Sequence, residues 1–344
     1  MLATDEKCAK KYKQYLKVAV SKKNSKHAVY CITAQGTRNA TPACVPERVD
    51  KLLREDDWLS IACKKYRLPN KELLNLRKTW SMGASEFVSP NQKAQMCFRE
   101  METLLLKRMR GTYMPQSDKN LLPWFDISVN DNSSPANVFI AANTSAGKSF
   151  WTNEILVNTD KNGENWATGR PIVCFSLHPE DPSLAGAREF HGNRWTDVDM
   201  DLLDARLTIE SIKPGTLVIF DDVLELPRSD HRRASLYALL NRLSTAGRHR
   251  KGKKGNEKRG NEIVIITHYG NNRELSTARN SCKYFCVFPN TSRSQAVHLL
   301  KTRLDYSKKG IEKLIDRCGD SRYACFRMHW PLMVVSKNHV ELLH

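Results

Sequence analysis

The sequence predicts an α/β protein: a mainly parallel β-sheet flanked by helices, with a small, mostly helical N-terminal domain in front of it. Three observations carry this. From residue 137 onward, short apolar runs of strand length alternate with helical patterns, as expected of strands buried on both faces of a parallel sheet. Two of those runs lead directly into residues suited to binding charge, AANTSAGKS after one and DD after another. Residues 46–110 instead carry leucines, methionines and aromatics near helical spacing.

The 344 residues suffice for two modest domains. They divide into a basic, mainly helical region over 1–115, a linker over 116–136 and a larger domain over 137–344. Residues 1–45 are Lys-rich, and the stretch 7–26 has no carboxylate, which reads as a flexible arm or a surface helix. Pro46-Glu47-Arg48 opens a helix that runs through Leu52, Leu53 and Trp58 towards Ala62. Pro69 interrupts it. A second helix over 71–80 carries Leu73, Leu74 and Leu76, and a third over 92–110 carries Met96, Phe98, Met101, Leu104 and Leu105. The pair around Pro69 resembles a helix-turn-helix but lacks the turn glycine, so a plain helical hairpin is preferred. Pro115, Pro123, Pro135 and the run NDNSS mark the linker. Strands are expected at 137–141, 171–176, 216–221, 262–267 and 284–288. Shorter ones at 323–328, 332–335 and 340–343 form a small antiparallel addition.

Apolar residues make up 40% of the chain, and runs such as LVIF fall far short of the roughly 20 residues of a membrane span. The start, MLATDEKCAKKYKQ, has neither an apolar core nor a cleavage site, so no secretory signal is expected. Ten cysteines occur without CxxC pairs. Cys282 and Cys286 have no neighbouring His or Cys cluster, which favours reduced thiols in an intracellular protein over a zinc site. The net charge of +18 favours a polyanionic partner, nucleic acid first.

The segment NVFIAANTSAGKSFWTNEIL reads as strand, loop and helix, and its loop fits GxxxxGK[ST] except that Ala142 replaces the first glycine. Gly147 permits close backbone approach to a phosphate, Lys148 reaches the β- and γ-phosphates, and the Ser149 hydroxyl ligates magnesium. Asn143, Thr144, Ser145, Ala146 and Phe150 complete the anion cradle at the helix N-terminus. A methyl group at Ala142 would strain the loop if a positive φ were required there.

The run GTLVIFDD, residues 215–222, is an apolar strand ending in two carboxylates. Asp221 suits a water-mediated magnesium contact, and Asp222 suits polarisation of an attacking water, with Glu225 in reserve. The strand EIVIIT leads into His268, a candidate sensor of the γ-phosphate. No NKxD motif follows the acidic strand, which speaks against a GTPase. Residues 245–260, TAGRHRKGKKGNEKRG, form a glycine-rich basic loop whose Arg250, Lys251, Lys253 and Lys254 suit phosphate-backbone contacts without base reading.

The order of these motifs from Asn137 to the C-terminus resembles the viral genome-packaging ATPases of the FtsK–HerA superfamily, nearest the poxvirus-type group of large DNA viruses, virophages and polinton-like elements. The resemblance rests on CFSLHPEDPSL, GTLVIFDD, GRH, STARNSCKYFCVFP and SRYACFRMHWPLMVVSKNHVELL in that order. It implies a RecA-like core, ATP with Mg2+, a homo-oligomeric ring and translocation of double-stranded DNA into a capsid at sites of virion assembly in host cytoplasm or nucleus. It supports Lys148 and Ser149 on nucleotide, Asp221 and Asp222 at metal and water, and His268 as sensor. It also offers Arg248 and Arg279 as arginines acting on a neighbouring subunit. The basic segment after His249 is an insertion relative to that group, and residues 1–115 lie outside the likeness. Two rivals remain: a superfamily 3 replicative helicase, disfavoured by the full strand between Lys148 and Asp221, and a DNA-binding scaffold that uses ATP only for assembly.

Overall fold

The computed structural model describes residues 2–3, 15–22, 28–32, 64–81, 89–108, 112–113, 120–125, 136–160, 162–203, 207–250, 260–304, 306–319, 321–328 and 332–343. Its strands are β1 (Leu2–Ala3), β2 (Tyr15–Ser21), β3 (Ala28–Ile32), β4 (Thr112–Tyr113), β5 (Leu121–Pro123), β6 (Val138–Ala141) and β7 (Ile172–Ser176). There follow β8 (Trp195–Val198), β9 (Leu217–Asp221), β10 (Glu262–Thr267), β11 (Tyr284–Val287), β12 (Ala324–Arg327), β13 (Met333–Ser336) and β14 (His339–Leu342). The helices are α1 (Asn70–Ser81), α2 (Gln92–Arg108), α3 (Lys148–Val157), α4 (Ala185–His191), α5 (His231–Ala246), α6 (Ser276–Ser281), α7 (Pro289–Lys301) and α8 (Lys308–Arg317).

Two compact units result. One comprises Met1–Ala19, His27–Tyr113 and Val340–His344; the other comprises Val20–Lys26 and Met114–His339. In the first, Leu68, Leu76, Ala94, Cys97, Phe98 and Met101 form a small core on α1 and α2. Its N-terminal part differs from the expected arm or helix, because β1 pairs antiparallel with β3 and Tyr15–Ser21 is itself a strand. The lysines there mask YLKVAVS and AVYCI, whose β-branched and aromatic residues favour extended backbone. The first half of the expected hairpin around Pro69 lies outside the described residues.

The second unit is a mixed α/β body with a mostly parallel sheet flanked by helices. The strand order β8-β7-β9-β10-β6-β11 is parallel throughout, and β12 and β13 then add antiparallel. Every residue of β6, β9, β10 and β11 is buried, as two covered faces require. The five parallel strands expected from the apolar runs are all present. The sixth, β8 (WTDV), is polar and partly exposed because it sits at the sheet edge, so it carries no apolar run. The segment expected as a linker contains buried β5, and Phe125 packs on Trp166 and Tyr284 at centroid distances of 4.9 and 4.6 Å. No described helix is long and apolar enough to cross a membrane. Cys282 and Cys286 are buried thiols outside any disulfide.

A buried ion pair closes the N-terminal edge of the sheet. Arg170, before β7, is fully buried and donates Nη1 to Glu262 at the start of β10. Its Nε donates to Gly215 O at 2.8 Å and its Nη2 to Gly260 O at 3.1 Å. Glu262 also accepts from Trp166 Nε1 at 2.6 Å and from Ala136 N at 2.9 Å. The starts of β6, β7, β9 and β10 thus share one network. Removing one partner strands a buried charge, so Glu262→Ala should destabilise the unit by about 3–5 kcal/mol in urea denaturation. The double variant Arg170→Met, Glu262→Leu should recover part of that loss. A loss under about 1 kcal/mol for Glu262→Ala would show that the pair does not hold the edge.

Candidate functional site

The loop between β6 and α3 takes its shape from two left-handed residues, Ser145 (φ 61°) and Gly147 (φ 93°). Ala142 is not one of them. It is fully buried, its N–H bonds Thr267 O at 3.3 Å, and its methyl joins the core. The missing first glycine is therefore not required here. At Gly147 the left-handed φ favours glycine, and the movable guanidinium of Arg322 lies where a Cβ would stand. Asn143 serves the loop's shape: its N–H donates to Ser292 Oγ at 2.8 Å and its Nδ2 to Thr291 O at 3.1 Å. That N–H is already engaged, as is that of Ala146, which donates to Asn143 O at 3.3 Å, so neither is open to an anion.

Lys148 opens α3, yet its side chain is buried and folds back along the loop. Its Nζ donates to Ala142 O at 3.2 Å and lies 2.9 Å from His268 Nδ1. An ammonium can only donate, so Nδ1 accepts and the ring proton sits on Nε2. Nε2 in turn lies 3.1 Å from Asp222 Oδ2. Lys148, His268 and Asp222, from three neighbouring strand ends, thus form one chain of polar contacts. Burial lowers the Lys148 pKa, opposed by Asp222, Asp221 and Glu225.

The two carboxylates differ. Asp221 ends β9; its Oδ2 accepts from Ser176 Oγ at 3.2 Å and its Oδ1 lies 3.5 Å from Ser149 Oγ. Burial, then the neighbouring Asp222, pushes its pKa to about 6. Asp222 follows in a left-handed conformation (φ 55°), and burial raises its pKa against the pull of Lys148 and His268. Its Oδ1 is buried without a hydrogen-bond partner among the described residues. A left-handed backbone and an unpaired buried oxygen together single out this position as a candidate functional residue. A hydroxyl beside a carboxylate that forms no direct ion pair among the described residues is a hard-oxygen donor set that fits Mg2+, provided phosphate and water supply the remaining ligands.

Two residues, Ser176 and Arg322, were given no role by the sequence reading, and Glu225 was given another. Ser176 ends β7 level with Asp221, and the polar residue closing its apolar run was the available signal. Glu225, held in reserve as a water activator, accepts from Thr267 Oγ1 and from the backbone N–H of His268 at 3.0 Å, so it positions His268. Arg322 donates Nε to Ala146 O at 3.0 Å.

Arg248 lies elsewhere. Helix α5 carries the chain from the end of β9 back to the start of β10, where Asn261 N bonds Gly247 O at 2.9 Å. The length of β10, about 20 Å, therefore separates Arg248 from the phosphate loop of its own chain. Arg279 donates to Gly270 O at 2.6 Å. Arg250 departs from its expected role: Nη1 donates to Ile209 O and to Ile212 O, the latter at 2.6 Å, so it anchors the base of the basic insertion. Lys251, Lys253 and Lys254 lie outside the described residues.

Neither a comparison with protein-family models nor one with curated proteins finds a match to this chain.

The Asp221 shift has a consequence for stability. Its folded pKa of about 6 exceeds the ordinary 3.8, so the folded state binds a proton between those values. Burying the charge then costs stability above about pH 6 and nothing below about pH 4. Asp221→Asn should raise thermal stability at pH 8, by on the order of 2–3 kcal/mol, and lose that advantage by pH 4. Equal melting shifts at both pH values would contradict the assignment.

Proposed function

We propose that this chain is an ATP-driven translocase of double-stranded DNA with a RecA-like core, acting as a homo-oligomeric ring that packages a viral genome. The observation that carries the reading is the convergence of Lys148, Asp222 and His268 beside the Ser149 and Asp221 oxygens at the mouth of one glycine-bearing loop. The ordered motifs that resemble packaging ATPases and the net charge of +18 supply the substrate and partner.

In this reading the amides of Thr144 and Ser145 and those from Gly147 to Phe150 hold the phosphates, and Lys148 leaves His268 to neutralise the β- and γ-oxygens. Asp222, with one oxygen on His268 and the other free, orients and polarises the attacking water. His268 touches Lys148, Asp222 and, at 3.5 Å, Thr144 Oγ1, so departure of the γ-phosphate alters all three of its contacts. Mg2+, held by Ser149 and Asp221, would supply charge neutralisation on the phosphates. Arg248, remote from its own loop, serves the site of a neighbouring copy. The insertion over 251–259 contacts DNA phosphates.

Two measurements test this. Lys148→Ala removes the cation that stabilises the transferring phosphate, so DNA-stimulated hydrolysis should fall at least about 100-fold, or about 2.7 kcal/mol of barrier. Near-normal turnover of the folded variant would refute the site. Replacing Lys251, Lys253 and Lys254 with Ser should lower the salt slope of double-stranded DNA binding by about 0.9 for each DNA phosphate no longer neutralised, without regard to sequence. An unchanged slope would remove the insertion from the DNA interface.

A further inference from the structure

Strand order divides the surroundings of the phosphate loop into two sides. β9 and β10, which carry Asp221, Asp222 and His268, lie on one side of β6; β11 and β12 lie on the other. Lys148 is turned to the first side, against His268. Arg322, just before β12, approaches from the second. It donates to Ala146 O, and its guanidinium covers Gly147. No carboxylate pairs with it among the described residues. The same guanidinium lies 5.8 Å from the ring centroid of Phe150, and Lys22 Nζ, paired with Glu154, lies 5.6 Å from that centroid. Phe150 follows Ser149 on the first turn of α3 and is 46% exposed, an unusual position for a large apolar ring. Arg322 is held from below: the adjacent Tyr323 packs on Trp151 at 5.5 Å, and its hydroxyl donates to Leu121 O.

We propose that Phe150 and Arg322 form the seat of the nucleotide's base. The proposal rests on reading 142–149 as the phosphate loop. The γ end of a bound triphosphate belongs where Lys148, Asp222 and His268 meet, on the β9 and β10 side. The nucleoside at the other end then leaves the loop on the β11 and β12 side, past the first turn of α3. There it meets an exposed aromatic plane and a guanidinium that no carboxylate among the described residues pairs with, two surfaces on which a heterocycle stacks. Both surfaces read the face of a base rather than its hydrogen-bonding edge. The seat therefore takes purines without distinguishing adenine from guanine, and selectivity for ATP over GTP is weak.

Calorimetric titration of the full chain with Mg-ATP, Mg-GTP and Mg-tripolyphosphate tests this. Wild type should bind ATP and GTP within about threefold of each other, because stacking tolerates any base. Phe150→Ala and Arg322→Ala should each weaken ATP roughly tenfold while tripolyphosphate affinity stays within about twofold, since only base stacking is removed. Tripolyphosphate also reports on loop damage in Arg322→Ala, and Phe150→Ala leaves the contact to Ala146 O in place. Unchanged ATP affinity in Phe150→Ala, or a parallel fall in tripolyphosphate affinity in it, would overturn the seat while leaving the phosphate loop standing. Wild-type protein that binds neither ligand would overturn the phosphate-loop reading, and the seat with it.

Discussion

The candidate site depends on an ion pair at the opposite edge of the sheet. Arg170 and Glu262 are buried together where β6, β7, β9 and β10 begin, and their hydrogen bonds reach the chain entering each of those strands. These strands are short, from four residues in β6 to six in β10. Side chains alternate faces along a strand, so a slip of one residue would turn Asp221 or Thr267 to the wrong face. Apolar burial alone fixes register weakly when both faces are apolar, because a shifted strand still buries apolar residues. The charged pair supplies the directional constraint. Its net contribution to stability is small beside the cost of breaking it, so what it adds is a single permitted alignment.

That alignment sets Asp221 level with Ser176 on one neighbour and Ile266 on the other, and Thr267 level with Ala141. The result is a cluster that is poorly satisfied by itself. Two adjacent carboxylates are held at raised pKa by burial, and a lysine is held at lowered pKa by the same cause. Lys148 offsets part of the carboxylate charge and the His268 ring meets Asp222 Oδ2, yet Asp222 Oδ1 keeps no partner among the described residues. A site that is electrostatically incomplete when empty gains most from a ligand bearing both a cation and phosphates. Charges held in place before the reaction also cost no reorganisation during it. The stability forgone at Asp221 is the counterpart of that readiness.

What was legible in the sequence follows from the same physics. Buried parallel strands appear as uninterrupted apolar runs, so β6, β7, β9, β10 and β11 stood out. GKS and DD stood out because few structural roles call for them directly after such runs. The edge strand β8 did not, since one solvated side lets WTDV be polar. The strands β2 and β3 were hidden because the density of lysines around them in sequence reads as an unpacked segment. Arg170 and Glu262 are ninety-two residues apart, and nothing local marks either as a buried partner of the other. Arg322 reaches the loop through strand order and Glu225 reaches Thr267 across a turn, so both placements exist only in three dimensions. Arg250 was misjudged for the converse reason: composition counts a cation as free, whereas two carbonyls of the 209–212 turn already hold it.

The placement of the two ends constrains how they could communicate. Under the proposed function, nucleotide contacts gather at the C-terminal edge of the sheet, and the basic segment leaves from the N-terminal edge, closed at its base where Gly260 packs against the Arg248 backbone. β10 joins both. It begins one residue after Asn261, which bonds Gly247 O, and it ends at Thr267 and His268 in contact with Glu225, Asp222 and Lys148. It is central in the sheet, fully buried and flanked by β9 and β6, so it cannot bend independently. Under the proposed function, a rearrangement at His268 is therefore carried to the insertion as a movement of the whole sheet or of α5, not as a local loop motion. The Arg170–Glu262 pair grips β10 at the end nearest the insertion. It keeps the insertion's base in step with the strands that hold the nucleotide, which is what transmission over that distance requires.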